Sequence, residues 1–550
     1  MTSRVVVALA LVLGSTVVVA QEAQKPPSGR ITGRVVAADT GKPLRHALVW
    51  MVSQQGRQSA TRTDEQGRYE FSALSAGTYR LDARADRYLR MYLGGQPYSG
   101  LTAVVPRGVM LRDGEQFDKA DFSLPRGGAI EVRLHDEFGD PAPGLQVQLS
   151  QVQYAGGRRR LMPQAGPGPA MRTDDRGFVR VHGLSPGTYY VSALSGAFAE
   201  QAETGGFAPT YHPGTPDLAA ATPVRLEIGQ ELTLSFQLTP ARMARIAGRV
   251  VDAAGAPARA SVMLSSADSA GLSEFFVTRG ESDPDGAFVF RNVPPGRFTV
   301  QAYGAQVVAG AGNLGASQFG WLPLIVDGTD QRDLTIRVSA GPSLKGRLAS
   351  DDPSGATLNP RDVHVTALPV QFDSAPVGGG PPPFAMQDDG TFEVKNLSGH
   401  RLIRVSVRNP AWMLKRITRM GREITDEVVD FTKGDIDGVE VFLSNRVTSV
   451  TGRVTDEKGN PVNDYAVLVF AADRSKWTDR SRFIMLGRPT QEGSFKIAGL
   501  PPEDYFAIAL PAVQGSQWQD PDFLKSLEDA ATRILLGDGE AKTLTLRLLR

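Results

Sequence analysis

The chain contains one pattern of strands and turns five times along its 550 residues. In the clearest copy, an alternating segment at residues 31–36 is followed by a Gly-x-Pro turn and a Thr-Asp-x-x-Gly turn. Tyr69 and Phe71 then alternate with polar residues, and a Leu-x-x-Gly-x-Tyr segment at 74–79 leads into a further strand. A repeat of this kind is a folding unit, so the pattern predicts a tandem array of small β-domains.

The local chemistry of each copy favours strands joined by tight turns. Apolar residues at every second position indicate a strand with one buried face. Proline and glycine fit the turn backbone, and the Asp side chain can accept hydrogen bonds from nearby amides. The other copies begin near residues 129, 246, 344 and 450, and the fourth is the most divergent. We therefore predict domains at 29–126, 127–239, 240–340, 341–446 and 447–550, joined by connections short enough to form a semi-rigid string.

The amino terminus has the composition of a secretory signal. Arg4 precedes an apolar run over residues 5–20, which predicts a signal peptide at 1–20 and cleavage before Gln21. A leader at 21–28 would precede the first domain, and no later segment is apolar enough to predict a transmembrane helix. The exported protein would be periplasmic, held at the cell surface or extracellular. Because the chain has no cysteine, each domain must depend on its own apolar core.

The charge balance argues against nucleic-acid binding. The 60 basic and 59 acidic residues leave a net charge of +1, without the basic surplus that binding to a phosphate backbone requires. The densest basic segment is the arginine triplet at 158–160, which we expect to be a solvated loop.

The order of these motifs resembles that of the carboxypeptidase regulatory-like domain. The opening strand, the Gly-x-Pro turn, the Thr-Asp-x-x-Gly-x-Tyr-x-Phe segment and the Leu-x-x-Gly-x-Tyr-x-Leu segment carry the resemblance. It covers nearly all of the mature chain, most weakly the fourth copy, and the array is similar to multi-repeat secreted proteins of soil bacteria. The resemblance implies an all-β array of about five transthyretin-like, Greek-key sandwiches. The wider fold group includes carbohydrate-binding modules, which supports a binding role by analogy only.

Segments that match catalytic motifs have better structural explanations. None of the six histidines has the spacing of a zinc site, and cysteine ligands are lacking. Ser185 fits a Gly-x-Ser-x-Gly nucleophile motif, but it lies in a turn that leads into a strand. A dinucleotide-type glycine pattern at 310–315 has no helix after it, and each acidic turn has too few carboxylates for calcium. We predict no enzyme, no catalytic residue, no cofactor and no metal.

Large aromatic residues recur in a loop that precedes the closing strand of each copy. As candidates for stacking on a sugar ring or a peptide we identify Tyr92, Tyr211, Trp321, Trp412 and Trp518. The alternative is that these rings pack within their own domain or between neighbouring domains. Their exposure to solvent distinguishes the two interpretations.

Two segments depart from the repeat. A short helix is predicted near the carboxyl terminus, where Asp520 can cap it, Pro521 fits its first turn and Gly537 would end it. Its apolar stripe would cover one sheet face of the last domain. In the fourth copy, residues 412–431 are predicted to form a hairpin extension, because Gly421 and β-branched residues disfavour a helix.

These observations leave three hypotheses for function. The leading one is a non-enzymatic exported rod of five sandwiches that binds carbohydrate or another envelope polymer. The second is a structural spacer that binds an envelope protein through exposed sheet edges. The third, and the least favoured, is a hydrolase with catalytic residues scattered among loops. The sequence identifies neither the ligand nor the oligomeric state.

Overall fold

The computed structural model describes residues 27–54, 56–97, 108–155, 157–164, 171–194, 205–266, 277–304, 318–350, 358–370, 384–490, 492–513 and 515–549. These residues form an all-β protein with one short helix near the carboxyl terminus, which confirms the predicted fold class. The strands assemble into pairs of sheets, which we number in chain order as sandwiches 1 to 5.

Sandwich 1 shows how the repeated pattern becomes a fold. One sheet is built on the first strand and the other on the second and fifth strands. Tyr69 and Phe71 point into the core, as their alternation predicts, beside the fully buried Ile31 and Val35. The strands are β1 (Gly29–Ala37), β2 (Leu48–Ser53), β3 (Gln58–Arg62), β4 (Arg68–Leu74), β5 (Gly77–Arg84), β6 (Met91–Tyr92), β7 (Gln96–Pro97), β8 (Gly108–Leu111), β9 (Gln116–Phe117) and β10 (Phe122–Leu124).

Sandwiches 2 and 3 repeat this arrangement and are linked by a two-stranded sheet. Sandwich 2 contains β11 (Gly128–His135), β12 (Gln146–Ala155), β13 (Arg158–Pro163), β14 (Phe178–Leu184), β15 (Gly187–Leu194), β16 (Gly205–Phe207), β17 (Thr210–Tyr211), β18 (Val224–Leu226) and β19 (Glu231–Gln237). The linking strand β20 (Pro240–Arg242) pairs with β16. Sandwich 3 contains β21 (Ala244–Val251), β22 (Ala260–Ser266), β23 (Val277–Glu281), β24 (Ala287–Val293), β25 (Gly296–Gly304), β26 (Phe319–Val326) and β27 (Gln331–Arg337).

Sandwich 4 carries the predicted hairpin, in which Thr418 pairs with Glu423. Its strands are β28 (Leu344–Ser350), β29 (Val363–Pro369), β30 (Phe384–Ala385), β31 (Thr391–Val394), β32 (His400–Val407), β33 (Met413–Arg419), β34 (Arg422–Glu423), β35 (Val428–Asp430) and β36 (Ile436–Ser444). Sandwich 5 contains β37 (Ser449–Thr455), β38 (Pro461–Val462), β39 (Ala466–Ala471), β40 (Ile484–Gly487), β41 (Ser494–Ala498), β42 (Glu503–Leu510), the helix α1 (Pro521–Leu527), β43 (Thr532–Leu536) and β44 (Ala541–Arg547).

The first and last strands of each sandwich are parallel neighbours. Val35 pairs with Phe122 in sandwich 1, and Ile130 pairs with Leu232 in sandwich 2. The same parallel pairing joins β21 to β27, β28 to β36 and β37 to β44. The alternating segment that ends each copy therefore closes its own sandwich onto its opening strand, and each sandwich has its own cluster of buried apolar residues.

In sandwiches 1, 3, 4 and 5 a glycine of the opening strand lies close to the closing segment, whereas sandwich 2 forms the same parallel pairing with Val132 at this position. A Cβ at Gly33 would collide with the carbonyl oxygen of Ala120, and a Cβ at Gly452 would collide with that of Leu544. Gly248 and Gly346 face the closing strand in the same way. The glycine in the repeated opening segment thus allows the closing strand to approach the first strand closely.

A buried donor anchors the turn before β5, β15, β32 and β42, which occupy the same place in sandwiches 1, 2, 4 and 5. The Tyr79 hydroxyl donates to the Ser75 carbonyl at 2.8 Å, which closes the turn over the core. Equivalent bonds run from Tyr189 to Ser185 and from Tyr505 to Pro501. In sandwich 4 the turn is one residue shorter and Arg401 takes this place, with its Nε donating to the Ser398 carbonyl at 2.8 Å.

The carboxyl-terminal helix is shorter than predicted. The Asp520 side chain caps it by accepting from the Asp522 amide, but α1 ends at Leu527 rather than near Gly537. A 3-10 turn follows, and Ile534 then lies buried on β43, which pairs with β42. The second half of the predicted stripe forms the strand β43 because hydrogen bonding to β42 outweighs the local preference for a helix. Buried residues of α1 and of the adjacent sheet face do form one apolar cluster, as expected for a covering helix.

Candidate functional site

The five candidate stacking residues lie in five different surroundings. Trp321 is 44% exposed on β26, whereas Tyr211 is buried on β17. Tyr92 is half-buried on β6. Trp412 and Trp518 are half-buried and pack against the apolar clusters of sandwiches 4 and 5. Trp412 and Trp518 therefore pack within their own sandwiches, and only Trp321 among these five offers a largely open ring.

The burial of Tyr211 favours the alternative that its ring packs within the protein. β17 pairs with β15, which places Tyr211 opposite Ser192. Its main chain closes a tight turn, donating from the amide to the Thr215 carbonyl at 2.7 Å. Since its ring is buried at the margin of the sheet, it presents no face on which a ligand could stack. Spacing along the sequence could not distinguish this position from that of Trp321.

Trp321 lies on an exposed apolar ridge at the edge of sandwich 3. Trp321, Pro323 and Ile325 lie on the same exposed face of β26, and Ile325 is 73% exposed. β26 is an edge strand of its sheet, bonded to β25 on one side. Because proline has no amide hydrogen, Pro323 weakens this edge as a template for an added peptide strand.

The prediction of a solvated loop at the arginine triplet is wrong, because these residues form part of a strand. The triplet begins β13, and Arg159 reaches across to sandwich 5. Its Nε donates to one Asp520 carboxylate oxygen at 2.8 Å, and its Nη2 donates to the other at 3.1 Å and to Asp522 at 2.7 Å. We call this group of Arg159, Asp520 and Asp522 the clasp. The triplet was visible in the sequence, but its acidic partners lie some 360 residues later.

Further contacts surround the clasp. A Cβ built at Gly157 would lie 3.9 Å from the Asp479 Cβ. Tyr154 lies nearby on β12, and burial together with the carboxylates of Asp479 and Asp520 raises its pKa. The β12–β13 hairpin of sandwich 2 therefore lies against sandwich 5, although sandwiches 3 and 4 separate the two along the chain.

Sandwiches 4 and 5 also share a partly buried charge network. Arg482 of sandwich 5 donates to Asp426 of sandwich 4 at 2.9 Å. Arg404 lies 3.5 Å from the same carboxylate and donates to the Arg480 carbonyl, and burial lowers its pKa. One carboxylate shared by two arginines fixes the orientation of both guanidinium groups.

The acidic turns act as backbone caps. Asp64 accepts from the Arg68 amide, Asp174 from the Phe178 amide and Asp283 from the Ala287 amide, each within 3.0 Å. In the described ranges, no group of three or more His, Cys, Asp and Glu residues could hold a metal ion. These turns support the interpretation as hydrogen-bonded turns over calcium binding.

The catalytic motif matches find no support. Ser185 lies between β14 and β15, and its carbonyl accepts the Tyr189 hydroxyl, so the serine belongs to a strand–turn–strand connection. A nucleophile elbow instead needs a helix after the serine. The glycine pattern at 310–315 and the signal segment at 1–20 lie outside the described residues.

Comparison with solved structures gives only weak similarity. The minor pilin GBS52 of Streptococcus agalactiae is 13% identical over 38% of this chain and 96% of its own, with a TM-score of 0.22. The TIE protein of Bacillus anthracis is 10% identical over 72% and 68%, with a TM-score of 0.15. BcpA, the major pilin subunit of Bacillus cereus, is 10% identical over 56% and 99%, with a TM-score of 0.14. Scores this low support no inference about this chain.

The family comparison is more specific. No curated protein sequence matches the chain. Among the described residues, no helix is long and apolar enough to span a membrane. Residues 30–122, which contain most of sandwich 1, match the carboxypeptidase regulatory-like domain, and this confirms the resemblance found in the sequence.

Proposed function

We propose that the protein is an exported, non-catalytic scaffold whose five sandwiches are held in a folded-back array. The clasp is the observation that carries this proposal, because it joins sandwich 2 to sandwich 5. The proposal includes a signal peptide at 1–20, a leader at 21–28 and domains at 29–126, 127–239, 240–340, 341–446 and 447–550. It replaces the extended rod of the leading sequence hypothesis and places the protein outside the cytoplasm.

The packing of the loop aromatics supports a scaffold. Trp412 and Trp518 contribute area to apolar clusters, and Tyr211 is buried. Rings used in this way stabilise the sandwiches and are withdrawn from ligands. Since the chain has no cysteine, the array depends on such packing and on polar contacts between sandwiches.

The folded-back array can be tested with an engineered disulfide. Gly157 and Asp479 have the Cβ separation of a disulfide, which is about 3.5–4.5 Å. In the cysteine-free chain, the double variant Gly157→Cys/Asp479→Cys should cross-link on mild oxidation, as seen by mass spectrometry of proteolytic peptides. Adding Arg159→Ala should slow the cross-linking, because it removes the clasp.

A matched pair controls for random collision. Gly139 also lies in sandwich 2, also has a positive φ, and has no atom within 4 Å of a built Cβ. Gly139→Cys/Asp479→Cys should not cross-link at a comparable rate. Equal rates for the two pairs, or none for either, would mean that sandwiches 2 and 5 are not held together and that the array is an open string.

Carbohydrate binding at Trp321 is the second candidate function. The open ring of Trp321 gives it a specific basis. A glycan array or pull-down with envelope polymers should detect binding that Trp321→Ala abolishes and Ile325→Ser leaves nearly intact. Absence of binding by the wild-type protein would remove this candidate and leave the scaffold unaffected.

A further inference from the structure

Sandwiches 1 and 3 each have two arginines at equivalent positions of the opening strand, but the residues around the two pairs differ in charge. Arg30 and Arg34 flank Ile31 on β1, and Arg245 and Arg249 occupy the same places around Ile246 on β21. Ile31 pairs with Phe117 of the closing strand, and Ile246 pairs with Gln331. These pairs align the two sandwiches residue by residue.

In sandwich 1 the guanidinium groups of both arginines have partners, which are carboxylates for Arg30 and a main-chain carbonyl for Arg34. Arg30 lies 3.6 Å from a Glu70 oxygen and 3.9 Å from an Asp118 oxygen. Arg34 donates from its Nε to the Gln66 carbonyl, and its amide donates to Asp121. Both guanidinium groups therefore have partners within the sandwich.

In sandwich 3 the two acids are replaced. Val289 stands between Phe288 and Phe290, where Glu70 stands between Tyr69 and Phe71. Arg332 follows Gln331, where Asp118 follows Phe117. Over the described ranges, the guanidinium groups of Arg245 and Arg249 form no hydrogen bond or ion pair, and both residues are exposed.

These arginines border a shallow groove of about 390 Å³ on the outer face of β21. The small residues Ala247, Gly248 and Ala287 form part of its lining. Four residues along one strand separate Arg245 from Arg249 by about 13 Å. We call this surface the arginine groove.

Two carboxylates temper the charge of the arginine groove. Asp333 lines it, and Asp330 lies 3.4 Å from Arg332 and accepts the Arg245 amide at 2.9 Å. Asp330 therefore partly neutralises Arg332 and also attracts Arg245, and Arg245 and Arg249 are the two groove cations that form no ion pair in the described part of the chain. A guanidinium binds a carboxylate through two parallel hydrogen bonds, which favours carboxylates spaced along a chain.

We propose that the arginine groove binds an acidic polysaccharide, whose carboxylate groups pair with Arg245 and Arg249. An acidic peptide fits the site less well, because β21 is bonded on both sides, to β24 and β27, and has no free edge for main-chain pairing. A sugar chain needs no such edge and can lie across the small residues. The site lies on the sheet opposite the one that carries Trp321, so it is independent of that ridge.

Binding to polygalacturonate, measured by co-sedimentation and calorimetry, tests the proposal. The wild-type protein should bind, and added salt should weaken the binding because the contacts are between charges. Arg245→Ser/Arg249→Ser should weaken it by about tenfold or more, since two charge-assisted contacts are lost. Methyl-esterified polygalacturonate, which has lost its carboxylate charges, should not bind.

Sandwich 1 supplies the matched control. Arg30→Ser/Arg34→Ser removes the same two charges from the same strand positions, and binding should change by less than about twofold because Arg30 is paired with Glu70 and Asp118 and the Arg34 guanidinium is bonded to the Gln66 carbonyl. Equal losses in the two double variants would overturn the proposal in favour of non-specific attraction. Polyglutamate binding as tightly as polygalacturonate would overturn it in favour of an acidic peptide.

A transplant of the acids gives a second test that retains both arginines. Val289→Glu/Arg332→Asp should pair Arg245 as Arg30 is paired and abolish binding. The converse variant, Glu70→Val/Asp118→Arg, should create a second site and raise the stoichiometry. If the first variant still binds with wild-type affinity while circular dichroism shows it folded, the arginine groove is not the site.

Discussion

Sandwiches 1 and 4 close the same turn with different donors. In sandwich 1 the Tyr79 hydroxyl reaches the carbonyl of Ser75. In sandwich 4, Arg401 donates to the carbonyls of Ser398 and Ala367, both at 2.8 Å, and is fully buried. A hydroxyl and a guanidinium can therefore each supply a buried donor to a turn carbonyl at this position, whereas sandwich 3 has Phe298 there, whose side chain has no donor.

The two solutions differ in their electrostatic cost. A neutral hydroxyl is buried at little cost once it is hydrogen-bonded, whereas a guanidinium must lose its hydration. Burial accordingly lowers the pKa of Arg401 to about 10. Sandwich 4 is also the most divergent copy in sequence, and it keeps the opening-strand glycine, Gly346, against its closing strand.

The largest effect is expected where the two sandwiches agree. Gly33→Ala and Gly346→Ala should each destabilise their own sandwich by about 3 kcal/mol, because the new methyl group meets a backbone carbonyl that cannot move aside. Hydrogen exchange measured by mass spectrometry would show increased exchange in peptides of that sandwich. Gly280→Ala, which meets only a ring atom at 3.7 Å, should change stability by less than about 0.5 kcal/mol. Similar exchange in all three variants would refute the close-approach explanation.

The replacement Arg401→Met should destabilise sandwich 4 by about 2 kcal/mol. It leaves the carbonyls of Ala367 and Ser398 buried without this donor, and part of that cost is offset because a desolvated charge is removed. Urea unfolding followed by hydrogen exchange in peptides of sandwich 4 measures the change. A more stable variant would show that desolvation of the guanidinium outweighs its hydrogen bonds.

The tyrosine version of the anchor should contribute less. Tyr189→Phe removes one bond to the Ser185 carbonyl and should cost about 1 kcal/mol in sandwich 2. Its neighbour Tyr190 has no hydroxyl hydrogen bond in the described part of the chain and is a matched control. Tyr190→Phe should be nearly neutral, and an equal loss in both variants would count against the anchor.

Raising the pH above 10 should lower the free energy of unfolding of sandwiches 2 and 5 and raise that of sandwich 4, each by a small amount. Burial raises the pKa of Tyr189 and of Tyr505, so above pH 10 the unfolded state loses protons that the folded state keeps, and stability falls. Each such tyrosine should cost about 0.8 kcal/mol at pH 10.5. Sandwich 4 has no tyrosine, and the lowered pKa of Arg401 makes its stability rise as pH increases above about 10.

Calorimetry between pH 8 and 10.5 checks this pH dependence. Tyr189→Phe should flatten the decline of the transition that belongs to sandwich 2, and that transition can be identified from the shift that the substitution causes. An unchanged decline would mean that another group is responsible.

The sequence predicted what depends on near neighbours. Tyr69 and Phe71 alternate into the core, and Asp64 and Asp174 hydrogen-bond amides four residues away, as their local patterns indicate. The failures concern distant contacts. Ile534 belongs to a strand because it pairs with Tyr505 of β42, which is too distant in sequence to influence a local pattern.

The candidate site was less predictable than the fold for the same reason. Tyr211 and Trp321 occupy similar places in their copies, and only the course of the neighbouring strands buries one and exposes the other. The partners of Arg159 belong to another sandwich, so the triplet could be noticed in the sequence but not interpreted.

The parallel pairing of first and last strands has a mechanical consequence. Parallel neighbours start at the same end, so the chain enters a sandwich at one end of this strand pair and leaves at the other. Tension between the two ends therefore shears the pair lengthwise and loads its ladder of hydrogen bonds all at once, instead of opening them singly. Once the clasp has broken, each sandwich would unfold independently under force, and the chain would resist stretching in five successive steps.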